Sequence, residues 1–260
     1  MNSTALSSSS PAATTASSRP TLVFLHYWGG SSRTWDGVIG ALPPAYDTIA
    51  PDLRGWGDAA PADSYALADF AADVQQMIAT RGLVNYVLVG HSMGGKIAQL
   101  LASRRPAGLV GLVLVAPAPP TPLHMPAEAR AVMAGAYDTA TAVEQAIDHV
   151  LTSSPLSPAL RLQVIEDSLR GDPAAKKAWP NHTSHEDISA AVGAIAVPVL
   201  VVAGALDRVD PAPVLQTEVL GRIAQATMQV LPGTGHLSPL EAPAGVAAAI
   251  DAFASALRTC

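Results

Sequence analysis

The chain has 260 residues, 49% of them apolar, and a formal net charge of −6. A chain of this length buries a core in one domain with room for an inserted subdomain, and its singly scattered Lys and Arg form no basic stripe to hold a nucleic-acid backbone. No apolar run approaches the ~20 residues of a membrane span, and the single cysteine, Cys260, excludes an internal disulfide and a thiolate metal site.

Residues 1–20 are nearly all Ser, Ala and Thr, which reads as a disordered tail too poor in apolar surface to offset its ordering entropy. The segment lacks the basic start and apolar stretch of a secretory signal, so a cytoplasmic location is expected. Its acid-free, Ser-rich content also fits a transit peptide, but a single arginine is weak support for one. The glycosylation sequons at Asn2 and Asn181 carry no weight without secretion.

From Thr21 onward apolar runs alternate with helical patterns. Residues 21–26 predict a buried strand and 47–50 a short second one. Residues 65–80 show helical spacing (Leu67, Phe70, Val74, Met77, Ile78), with Gly82 just past the end. Further strands are predicted at 86–89, 110–115, 197–202 and 227–231, and helices at 93–103 and 242–257. This alternation predicts an α/β fold with a mostly parallel sheet of about six strands and helices on both faces.

The rhythm breaks at residues 117–195. Helical patterns near 127–134, 141–151 and 158–169 lead into a predicted loop carrying Trp179, His182 and His185. With no strand candidate there, the segment reads as a helical cap inserted between core segments 21–116 and 196–260.

Gly90-His91-Ser92-Met93-Gly94 follows the apolar run 86–89 directly and opens a helix. Such a strand–turn–helix presents the serine hydroxyl at a sharp bend, with glycines where a Cβ would collide with neighbouring backbone. Ligands of open parallel sheets sit at the strands' carboxyl ends, so the other post-strand loops bear on the same site. The fifth strand is followed by Asp207, the sixth by Gly235-His236. The roles follow from acid–base chemistry: Ser92 as nucleophile, His236 as the base that takes its proton and returns it to the leaving group, Asp207 as the acceptor that fixes the imidazole tautomer. Asp210 is the rival acid, but Asp207 lies nearer the strand end. His26 reads as structural and His91 as pointing away from the serine. His124, His149, His182 and His185 read as surface or pocket-wall residues. Asp52 and Arg54 beside their glycine turn read as structural, and Lys96 as a solvent or structural lysine. His182, His185, Glu186 and Asp187 lack a helix to aim them, so no metal and no cofactor are expected.

Together with His26-Tyr27-Trp28-Gly29-Gly30-Ser31, Asp52-Leu53-Arg54-Gly55-Trp56-Gly57, and Glu241 and Pro243 after His236, these motifs resemble the α/β-hydrolase superfamily. The likeness is to its compact serine esterase, lactonase and cofactor-free haloperoxidase-like members. It implies an oxyanion hole made by the backbone N–H groups of Trp28 and Met93. Tyr27 stands where relatives often have glycine and is expected to narrow the pocket mouth. Leu123, Met125, Met133 and Trp179 fit either an acyl-pocket wall or the packing of the cap. The implied activity is hydrolysis of a small apolar carboxylic ester or lactone through an acyl-enzyme, with no nucleic-acid partner, no membrane span and an oligomeric state the sequence does not give. Perhydrolase, haloperoxidase-like or hydroxynitrile lyase-like chemistry on the same three residues, or a non-catalytic small-molecule receptor, are the alternatives.

Overall fold

Six apolar runs pair into one parallel sheet in the order β2-β1-β3-β4-β5-β6. The strands are β1 (Thr21–Leu25), β2 (Thr48–Ile49), β3 (Tyr86–His91), β4 (Leu109–Val115), β5 (Val199–Gly204) and β6 (Ala226–Leu231). The structure is a computed structural model that describes residues 19–257. The expected tail therefore lies, but for its last two residues, outside the described residues. Among the described residues no helix is long and apolar enough to cross a membrane.

Strand periodicity sorts the core into two layers. Val23, Leu25, Leu88, Leu112, Leu114 and Val201 point to one face, against α2 (Leu67–Thr80) and α3 (Met93–Ser103). Leu22, Phe24, Val87, Val89, Val113 and Val202 point to the other, against α1 (Asp36–Ala41) and α11 (Pro243–Ala256). Each fully buried Val or Leu contributes about 2 kcal/mol through removal of apolar surface from water. Edge strand β6 is instead only partly covered, with Leu231 its one buried residue.

No strand interrupts residues 116–198. This segment carries α4 (Ala127–Gly135), α5 (Ala140–Ala146), α6 (Pro158–Arg170), α7 (Pro173–Asn181) and α8 (Ser189–Val192). The helix expected over 141–151 is α5 continued by a π-helical turn, Ile147–Leu151. The loop expected around Trp179 is instead helix α7, a correction with a visible cause. Asp172 accepts hydrogen bonds from the Ala174 and Ala175 amides, and Pro173 occupies the first helical turn, where its missing N–H costs nothing. Two short helices, α9 (Ala212–Leu215) and α10 (Ser238–Glu241), flank β6.

Candidate active site

The sharp bend after β3 places Ser92 at φ 51°, a left-handed backbone that non-glycine residues seldom adopt. The neighbours enforce it. A Cβ on Gly90 would run into the Gly94 carbonyl, and one on Gly94 into the carbonyls of Leu25 and His26. The Ser92 amide donates to the Val115 carbonyl at 3.1 Å, tying the bend to β4.

The loops after β5 and β6 bring two more side chains to the bend. Ser92 Oγ lies 2.9 Å from His236 Nε2, and His236 Nδ1 lies 2.9 Å from Asp207 Oδ2. The other Asp207 oxygen accepts the Val209 and Asp210 amides at 2.8 and 3.1 Å. Burial pushes the Asp207 carboxyl upward, but the attraction of His236 and these hydrogen bonds outweigh it and hold the group below its ordinary value. Burial pushes His236 down, yet the charge and hydrogen bond of Asp207 outweigh that and leave its imidazole above the ordinary value. The rival acid Asp210 makes no hydrogen bond to His236.

The backbone around His236 is clamped. His91 Nε2 donates to the His236 carbonyl at 2.8 Å, so His91 serves the back of the imidazole loop rather than the serine. Burial pulls the His91 ring down to about 3, keeping it neutral. Glu241 accepts the Gly235 amide at 3.1 Å and the Ser153 amide at 2.8 Å, tying this loop to the segment after β4.

The turn after β1 supplies further donors. His26 accepts the Leu53 amide on Nε2 at 3.0 Å and donates from Nδ1 to the Tyr27 carbonyl at 2.8 Å. It is structural, as is Asp52, whose carboxylate accepts the Ser32 and Asp58 amides at 2.6 and 2.8 Å. Arg54 pairs with Asp73. The helical segment between β4 and β5 grips the same turn from above. Tyr137 Oη donates to the Trp28 carbonyl at 3.0 Å, Ser168 Oγ to the Gly29 carbonyl at 3.0 Å, and Ser31 Oγ to Asp167 at 2.8 Å. Gly29 sits at φ +96° under the Tyr137 ring, where a Cβ would clash. Among the described residues the Trp28 and Met93 amides donate to no protein acceptor; for Met93 this follows from its place in the first turn of α3.

Ser92 and His236 open onto a cavity of about 660 Å³. Tyr27, Trp28, Met125, Met133 and Trp179 all face it, as do Leu123 and Tyr137. His149 reaches the wall, whereas His124, His182 and His185 do not. Lys96 is not at the surface: it is 1% exposed, and its ammonium donates to the Thr121 and Ser184 carbonyls at 2.9 and 3.2 Å. Burial pulls it down to about 8. Asp210, also in the wall, is pushed by burial up to about 7. Tyr137, Lys96 and Asp210 are among the cavity residues that spacing did not single out for this place. No local period marks them, because each reaches the wall through tertiary contacts. Among the described residues no cluster of three or more His, Cys, Asp or Glu side chains is placed to hold a metal ion.

The alpha/beta hydrolase family model matches residues 22–249. Over 249 residues the chain is 28% identical to 2-succinyl-6-hydroxy-2,4-cyclohexadiene-1-carboxylate synthase of Serratia proteamaculans, covering 90% of this chain and 93% of that one. The matches to the first curated relatives are shorter, spanning 36% and 30% of their length. Among solved structures, an esterase (EaEST) from Exiguobacterium antarcticum is similar with a TM-score of 0.83 at 21% identity, over 91% of this chain and 92% of that chain. The enol-lactonase from Burkholderia xenovorans gives 0.79 at 20% identity, over 91% and 92%. At these identities the structures speak to fold, and the family match speaks to descent. With six parallel strands in hydrolase order and a family match across most of its length, this chain belongs to the alpha/beta hydrolase family.

Proposed function

We propose that the protein is a serine hydrolase that cleaves an apolar carboxylic ester or lactone through an acyl-enzyme. The observation that carries this reading is the unbroken hydrogen-bond chain Ser92–His236–Asp207, with 2.9 Å at each link, opening onto an apolar cavity. The esterase and lactonase likenesses are in keeping with it.

Ser92 Oγ attacks the carbonyl carbon while its proton passes to His236 Nε2. Asp207 holds the tautomer that leaves Nε2 free to accept, and offsets the imidazolium charge that forms. The carbonyl oxygen becomes an oxyanion facing the free amides of Trp28 and Met93, each such donor contributing about 3 kcal/mol to the barrier reduction. Collapse breaks the bond to the alcohol oxygen, which takes the proton from His236. A water then attacks the acyl-serine by the same route, with His236 again accepting and returning the proton. Tyr27, Met125, Met133 and Trp179 contact the apolar part of the substrate.

The test is labelling with a fluorophosphonate, peptide mapping, and a panel of p-nitrophenyl esters and lactones. Covalent label on Ser92 with turnover of at least one ester or lactone is the expected result. A folded protein that neither labels at Ser92 nor turns over any member overturns the reading.

A further inference from the structure

Two charge-bearing side chains that this mechanism does not use are buried in the cavity wall, Asp210 and Lys96. Asp210 is 5% exposed. The other buried carboxylates among the described residues have donors. Asp167 receives Ser31 and Arg33, and Asp207 receives His236 and two amides. Asp210 receives none: its amide donates to Asp207, but no donor reaches its own carboxylate. A buried carboxylate left without a partner is costly, and burial accordingly raises its proton affinity. No side chain or amide of the fold hydrogen-bonds it, and it forms part of the cavity wall.

Lys96 has three ammonium hydrogens, of which two are taken by the Thr121 and Ser184 carbonyls. Each of Lys96 and Asp210 biases the other's ionisation, yet no ion pair joins them. The wall therefore holds a free acceptor and a spare donor within electrostatic reach of one another. A hydroxyl is the neutral group that both donates and accepts. A substrate carboxylate would meet the negative charge of Asp210 and Asp207. A substrate ammonium would meet the positive charge of Lys96.

We propose that Asp210 and Lys96 form a polar subsite that binds a neutral hydroxyl group on the substrate, the hydroxyl donating to the Asp210 carboxylate and accepting from the Lys96 ammonium. The preferred substrates are then hydroxylated esters with an otherwise apolar body. This rests on the ester-hydrolase reading above.

The experiment compares kcat/KM for p-nitrophenyl hexanoate with its 3-hydroxy and 6-hydroxy analogues, and ethyl hexanoate with 2-hydroxyethyl hexanoate, so that the hydroxyl is sampled on both sides of the scissile bond. At least one hydroxylated member should exceed its parent by about tenfold or more. That advantage should be lost in Asp210→Ala and partly kept in Asp210→Asn, whose amide oxygen still accepts. Thermal melting at pH 8 gives a second readout: Asp210→Asn should melt no lower than the parent protein, since it removes a buried charge that accepts no hydrogen bond. An advantage that survives in Asp210→Ala, no advantage for any hydroxylated member, or a marked fall in melting temperature for Asp210→Asn overturns the subsite while leaving ester hydrolysis standing. Failure of the unaltered protein to hydrolyse any of the esters overturns both.

Discussion

Tyr137 Oη donates a 3.0 Å hydrogen bond to the backbone carbonyl of Trp28, joining the segment between α4 and α5 to the turn after β1. The Trp28 and Tyr137 rings also pack with centroids 4.1 Å apart. The amide proposed to receive the oxyanion is thus set by a residue far away in the chain. Replacing Tyr137 by Phe keeps the ring contact and removes the hydrogen bond, a loss of about 1 kcal/mol. We expect kcat to fall about fivefold with KM little changed, because the effect falls on transition-state geometry. Steady-state kinetics on a p-nitrophenyl ester checks this, and an unaltered kcat contradicts it.

Ser92→Ala should lower kcat by about 10⁵-fold or more, as expected when one member of a cooperating set is removed, and should end fluorophosphonate labelling. Ser92→Gly should do the same while raising stability by about 1 kcal/mol, because glycine adopts the φ 51° backbone without strain. Thermal melting separates the two variants.

Activity requires a neutral His236. Since Asp207 outweighs burial and raises the imidazole above its ordinary 6.5, kcat/KM should rise with pH through a midpoint above 6.5. Asp210, pushed up to about 7, titrates in the same range, so the limb belongs to the coupled set. Asp207→Asn removes the group that raises the imidazole. It should move the limb to lower pH and cut kcat by about 10³- to 10⁴-fold through the wrong tautomer. Stability follows the same linkage. The His236 contribution is complete below 6.5 and fades as pH rises through its raised folded value. The Asp207 contribution is present above 3.8 and is lost as pH falls through its lowered folded value. A pH–rate profile and melting curves across pH check both directions.

Asp52 organises the turn below the site by accepting the Ser32 and Asp58 amides, and a Cβ on Gly57 would run into its carboxylate. Asp52→Ala should destabilise the protein by about 2 kcal/mol, since both hydrogen bonds go to an ionised group. Urea denaturation at neutral pH measures it, and a midpoint unchanged from the parent contradicts it.

Much of this was legible in the residues. The apolar runs at β1, β3, β4 and β5 are uninterrupted because both faces of a central parallel strand are covered, which leaves little room for another reading. The positions of Ser92, Asp207 and His236 followed from strand ends, which are local features. The stretch Ser32–Ala41 forms a 3-10 turn and α1, yet Gly37 and Gly40 hide its helical period. Helix α7 was hidden by its two adjacent lysines and by Pro180, although its Asp172-Pro173 start was a readable signal. Nearness to the strand end favours Asp207 over Asp210, and it is Asp207 that is aimed at the imidazole. The grip of Tyr137 on Trp28 leaves no trace in spacing at all.

Several fasteners, among them Tyr137 to Trp28, Ser168 to Gly29, and Ser31 and Arg33 to Asp167, bind the upper helices to the turn after β1. Roof and foundation are therefore one mechanical part. Transplanting residues 117–195 from a cousin would alter not only which molecules fit but also the alignment of the amides beneath. Single changes along the wall, by contrast, would alter which molecules fit while leaving those amides in place.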